Sequence, residues 1–156
     1  MATFNTICVI GLGYIGLPTA VALAREGRIV IGVDIDEKVV NKINRGETHF
    51  NEPELTAALK SAVENNRLFA TTQVDSADVF LIAVPTPLDK NLKPDLSYIE
   101  AAAEAIAPVL NKGNLVVLES TSPVGTTQKL AHQLKALRSD LTFPIEIGEN
   151  ADINIA

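Results

Sequence analysis

Val9–Ala20 reads VIGLGYIGLPTA and sets three glycines, Gly11, Gly13 and Gly16, behind an apolar run. Two readings of this stretch compete. It is a phosphate cradle for a dinucleotide, or it is only a tight turn between a strand and a helix. A lone G-x-G-x-x-G does not decide between them, so the flanking sequence must.

Upstream, Thr6–Ile10 is short, apolar and rich in β-branched residues, which predicts a buried strand. Downstream, Tyr14–Glu26 consists of helix formers and stops at Gly27. That predicts a helix, with Pro18 tolerated in its first turn, where amide protons lack carbonyl partners. Ile29–Asp34 (IVIGVD) predicts the next strand, and it closes on an acid. In this setting each glycine has a task. Gly11 turns the chain sharply, Gly13 leaves room for a pyrophosphate against the backbone, and Gly16 lets the helix pack closely on the strand. The helix start then offers unpaired amides and a positive dipole end to phosphates.

Asp34 completes the pattern. A carboxylate at that strand end accepts hydrogen bonds from ribose hydroxyls and repels a 2′-phosphate. The neighbours Ile35 and Asp36 supply no arginine to neutralise one, so NAD is expected over NADP. The competing reading of Asp34 is a solvated loop residue or a helix cap. Enzymes that use S-adenosylmethionine share a glycine-rich first turn and a later acid, and their chains continue differently after the fourth and fifth strands.

The rest of the chain keeps alternating. Asp36 is placed to cap a helix with Val39, Val40 and Ile43 on one face and Gly46 beyond its end. Pro53 opens a helix that runs to Asn65. Leu68–Thr72, the apolar Val79–Val84 and Leu115–Ser120 read as strands. Ser97 with Glu100 fits a capping box for a helix running into AAAEAIA, Thr126–Ser139 reads as another helix, and Asp152–Ala156 as a last strand. Strands apolar on both faces and alternating with helices predict a parallel sheet covered on both sides, in a single α/β domain. Its ligand would lie beyond the carboxyl ends of the strands, where strand order reverses. AVPTP (Ala83–Pro87) and ESTSPVG (Glu119–Gly125) are two of those ends, small, proline-stiffened and hydroxyl-bearing.

Bulk properties narrow the partners. At 156 residues the chain buries enough surface to need no metal or disulfide staple. Net charge is −6 and the basic residues are scattered, which argues against nucleic acid. The single cysteine, Cys8, excludes an internal disulfide and a C-x-x-C metal pair, and in its apolar run it reads as a small core hydrophobe. MATFNT lacks the basic start of a signal peptide, and charged residues interrupt the longer apolar stretches. The expectation is a cytoplasmic protein with no membrane segment and no metal. His49 in a polar connection and His132 on a helix read as structural or solvent-facing. Gly32, inside a strand, is expected to admit a close backbone or cofactor approach.

Taken in order, VIGLGYIGLPTA, IGVDID, INRGE, LIAVPTP, Pro94-Asp95 and LESTSPVGTT resemble the UDP-glucose/GDP-mannose dehydrogenase family, from the first strand to Ala156. The resemblance implies a Rossmann-type, doubly wound parallel sheet with helices on both faces. It also implies two successive NAD-dependent oxidations of a sugar C6 alcohol to a carboxylate. By position it implies NAD contacts at Tyr14 and Ile15 beside the glycines, at Asp34, at Val84, Pro85 and Thr86, and at Ser120 and Thr121. It further implies a supporting role for Thr121 in holding a catalytic water. Some relatives carry a basic residue a few places after the acid; Lys38 is the nearest here, one position early. The family's catalytic cysteine, which holds the aldehyde as a thiohemiacetal, lies in a later domain with its lysine and asparagine helpers, and Cys8 does not match it. Residues 1–156 are therefore expected to be the NAD-binding domain of a longer enzyme, ahead of its central and C-terminal substrate domains. The nucleotide sugar would be read mainly by those domains, and a homo-oligomeric parent is compatible with this. Two alternatives remain at this level: a stand-alone NAD-binding or sensing module without activity, which ought to end on a capped polar tail rather than INIA, and a hydroxy-acid dehydrogenase fragment.

Overall fold

The computed structural model describes residues 4–156; Met1–Thr3, part of the stretch read for a leader, lie outside the described residues. Six parallel strands form one sheet: β1 (Thr6–Ile10), β2 (Ile29–Val33), β3 (Leu68–Thr71), β4 (Val79–Ile82), β5 (Leu115–Leu118) and β6 (Asn154–Ile155), in the order β3-β2-β1-β4-β5-β6. The helices are α1 (Gly16–Arg25), α2 (Glu37–Asn44), α3 (Pro53–Glu64), α4 (Ser97–Ile106), α5 (Thr126–Leu137) and α6 (Pro144–Ile147). The chain doubles back between β1 and β4, which are neighbours although β2 and β3 come between them in sequence.

Alternation along β1 divides the core in two. Ile7 and Val9 face a cluster with Leu17, Ala20 and Val21 of α1, Ile43 of α2 and Leu59 of α3. Cys8 and Ile10 face the other cluster, with Ile99 and Ile106 of α4 and Leu130 and Leu134 of α5. A side chain points to opposite faces at successive strand positions, so a strand buried on both sides must be apolar at every one. This is the doubly wound α/β architecture expected from the sequence.

Several boundaries and details are corrected. Tyr14 and Ile15 lie in the turn, and α1 begins only at Gly16, with Pro18 inside its first turn as expected. The Ser97–Glu100 capping box does not form: Ser97 is already helical, and its amide donates to Oδ1 of Asp95 at 2.9 Å. The helix starts one residue early, so the Glu100 amide that the serine hydroxyl would accept from donates instead to the Leu96 carbonyl at 3.0 Å. Asp95 takes the Ser97 amide that the Glu100 carboxylate would need. Asp36, by contrast, caps α2 through the Lys38 amide at 2.8 Å. Gly32 admits neither backbone nor cofactor. A Cβ there would stand 2.9 Å from both methyls of Leu12, so the space belongs to that buried side chain. The four-residue α6 is too short to carry a periodic pattern, and nothing in the sequence announces it.

Candidate functional site

Gly11 ends β1 with φ of 91°, a left-handed conformation that favours glycine. A side chain would also collide with the next strand, since a Cβ on Gly11 would lie 2.6 Å from the Ala83 carbonyl oxygen. The switch point is thus closed tightly at its base, where the Ala83 amide donates to the Ile10 carbonyl at 2.8 Å. A Cβ on Gly16 would overlap the Gly11 carbonyl oxygen, so the helix start sits directly on the turn. Gly13 is different. Its Cβ would meet nothing within 4 Å, and the position faces open space.

The amides of this loop divide into used and free. Gly11 donates to the Val33 carbonyl at 2.8 Å, and Leu12 donates to Oδ2 of Asp34 at 3.0 Å. Leu17 donates to the Gly13 carbonyl at 3.1 Å. Among the described residues, the amides of Gly13, Tyr14 and Ile15 meet no acceptor. Consecutive free donors at the positive end of α1, beside a position with no side chain, make a corner suited to an anion such as a pyrophosphate.

Asp34 sits one residue past β2, half-buried. Its Oδ1 accepts from the Asp36 amide at 3.0 Å while Oδ2 holds Leu12. Both oxygens keep acceptor capacity for ligand hydroxyls, because a carboxylate has about four lone-pair sites. Asp34 is therefore no idle loop residue: it ties β2 to the glycine loop. Lys38 is exposed in the first turn of α2.

Across the crevice, Ser120 Oγ donates to the Val84 carbonyl at 2.8 Å and lies 3.2 Å from that of Ile82. Thr86 Oγ1 donates to the Thr121 carbonyl at 2.6 Å, and Thr19 Oγ1 of α1 donates to Oε1 of Glu119 at 3.1 Å. The fold thus gathers Gly11, Gly13, Tyr14, Ile15, Gly16, Asp34, Val84, Pro85, Thr86, Ser120 and Thr121 around the carboxyl ends of β1, β2, β4 and β5. His132 is exposed on α5 and stands apart.

His49 and Phe50 belong here as well. The Phe50 ring stacks on Tyr14, and His49 meets Phe50 edge-on. Burial lowers the His49 pKa, against an upward pull from Asp34, and Lys42 adds to the lowering. The sequence signal was only an aromatic pair in a polar connection, which carries no period. Cys8 is fully buried in β1, and burial pushes its thiol up to about 12. Among the described residues no cluster of His, Cys, Asp and Glu is placed to hold a metal, and no helix is long and apolar enough to cross a membrane.

With this geometry established, residues 5–156 match the model of the UDP-glucose/GDP-mannose dehydrogenase family, NAD binding domain. The chain belongs to that family. NAD is accordingly its cofactor. It is 58% identical over 154 residues to UDP-N-acetyl-D-mannosamine dehydrogenase of Escherichia coli K12, covering 99% of this chain and 37% of the relative. It is 59% identical over 153 residues to NDP-N-acetyl-D-galactosaminuronic acid dehydrogenase of Ralstonia nicotianae, covering 98% and 36%. A solved UDP-D-ManNAc dehydrogenase from Pyrococcus horikoshii superposes with a TM-score of 0.87 at 41% identity, over 96% of this chain and 35% of that one. The chain thus spans little more than a third of the length of the relatives it matches.

Proposed function

We propose that this chain is the cofactor-holding part of a cytoplasmic nucleotide-sugar dehydrogenase that oxidises the C6 alcohol of UDP-N-acetyl-D-mannosamine to the uronate in two NAD-dependent steps. Relatives of nearly equal identity are named for N-acetylated mannosamine and galactosaminuronic acid, which supports an N-acetylhexosamine as the substrate class. The observation that carries the cofactor assignment is the free Gly13–Ile15 amide corner closed on one side by Asp34.

When bound, NAD supplies the hydride acceptor. The chain's own residues hold and orient it: the Gly13, Tyr14 and Ile15 amides at the pyrophosphate, Gly11 and Gly16 by making the turn possible, and Asp34 at the adenosine ribose hydroxyls. Val84, Pro85, Thr86, Ser120 and Thr121 are assigned to the wall on the nicotinamide side, with Thr121 in a supporting role toward a water there.

Oxidation to an acid also needs a base for the hydroxyl proton and a thiolate to hold the aldehyde. Cys8 supplies no thiolate, since it is fully buried and its pKa is pushed up to about 12. Those groups are assigned to the part of the enzyme that the relatives' greater length represents. The test is to mix the 156-residue chain with NAD and UDP-N-acetyl-D-mannosamine. Cofactor binding without NADH formation is expected; steady NADH production by the chain alone would overturn this division of labour.

A further inference from the structure

The connection between α2 and α3 lies outside the glycine motif yet reaches it. The Phe50 and Tyr14 rings stack with centroids 4.5 Å apart and planes 25° from parallel. His49 also meets Phe50, edge-on at 4.7 Å and 78°. Tyr14 is otherwise open to solvent, with 72% of its surface exposed. Phe50 is the aromatic partner of this otherwise open ring, and the turn itself is tied at its ends by Leu12 to Asp34 and by Leu17 and Thr19 to the Gly13 and Ile15 carbonyls.

Phe50 is itself well anchored. Its carbonyl accepts from Thr48 Oγ1 at 2.8 Å and from the Glu52 amide at 3.2 Å. Thr48 shares a 2.7 Å hydrogen bond with Thr56 Oγ1 in the first turn of α3. The Phe50 ring packs against the core cluster formed by α1, α2 and α3. The His49 Nδ1 is buried without a hydrogen-bond partner among the described residues, so packing rather than hydrogen bonding holds that end of the imidazole. The result is a strut running from α3 through Phe50 to the residue at the centre of the free-amide corner.

Resting on the dinucleotide reading above, we propose that Phe50 is a positioning residue for the phosphate corner: by stacking on Tyr14 it fixes the turn that presents the Gly13, Tyr14 and Ile15 amides. Phe50 acts through Tyr14 and does not touch the cofactor. A stack of this kind is worth enough to change affinity about three- to tenfold when it orders a ligand-binding turn.

The chain has no tryptophan and two tyrosines, so Tyr98→Phe leaves Tyr14 as the sole tyrosine emitter. In that background Phe50→Leu keeps an apolar side chain of similar size but removes the stack, and Phe50→Tyr restores it. Phe50→Leu is expected to lower Tyr14 fluorescence anisotropy and to weaken NADH binding about three- to tenfold. Phe50→Tyr adds a second emitter and is read by affinity alone, where it should recover NADH binding, with all variants compared at a temperature where each is folded. NADH affinity unchanged by Phe50→Leu overturns the role. So does weaker binding with unchanged anisotropy, since Phe50 would then act on the ligand directly. A parent chain that does not bind NADH at all overturns the dinucleotide reading, and the role of Phe50 with it.

Discussion

After β1, the Gly13, Tyr14 and Ile15 amides are left without acceptors among the described residues, whereas after β4 and β5 the polar side chains pair with the loops around them. Both regions lie at the same switch point, and both read from sequence as cofactor contacts. The first is a corner whose hydrogen-bonding capacity waits for a ligand. In the second, Ser120 and Thr86 bind carbonyls of the facing loop and so set the shape of a wall. Helix dipole and free donors make the first corner selective for charge. The second offers shape and a few remaining lone pairs. Binding strength should therefore concentrate on the β1 side, and loop rigidity on the β4–β5 side.

The sharpest way to break this contrast is within the glycine loop itself. Gly13→Val should abolish measurable NADH binding, because its side chain fills the open space beside the free amides. The apo chain should melt almost as before, since a Cβ there meets no atom within 4 Å. Gly11→Ala should do the reverse and destabilise the fold, adding a side chain at φ of 91° and 2.6 Å from the Ala83 carbonyl oxygen. Titration with NADH and a thermal melt of each variant separate the two. Normal NADH binding by Gly13→Val would reduce the motif to a structural turn.

A smaller effect is expected across the crevice. Ser120→Ala removes the donor to the Val84 carbonyl and should cost about 1 kcal/mol, or roughly 2–4 °C in melting temperature. Its effect on NADH affinity should stay well below that of Gly13→Val. A larger loss of affinity than of stability would move Ser120 from the wall into direct contact with the cofactor.

The sequence was most legible where one chemical demand falls on one residue. Gly11, Gly13 and Gly16 each have a distinct steric environment, and Asp34 stands just past β2 as read, although its bond to the Leu12 amide was not legible in the sequence. Strand alternation was equally plain, because Thr6–Ile10 must be apolar on both faces. What escaped depended on tertiary choice. Gly32 reads as room for a backbone or ligand, yet the fold fills it with Leu12, a contact that no local pattern encodes. Ser97 satisfies a capping-box pattern, but Asp95 reaches its amide first. Phe50 meets Tyr14 only because α2 and α3 pack on the same face of the sheet as α1, and nothing near residue 50 announces that.

The central claim is that the β1 corner and Asp34 together hold a dinucleotide with an unphosphorylated adenosine ribose. The most direct measurement is a paired calorimetric titration of the chain with NADH and NADPH, repeated with Asp34→Ala. A dianionic 2′-phosphate beside the Asp34 carboxylate should cost NADPH at least about tenfold in affinity, and Asp34→Ala should narrow the gap. NADPH bound as tightly as NADH, or more tightly, would contradict the assignment of Asp34 and with it the account of this site.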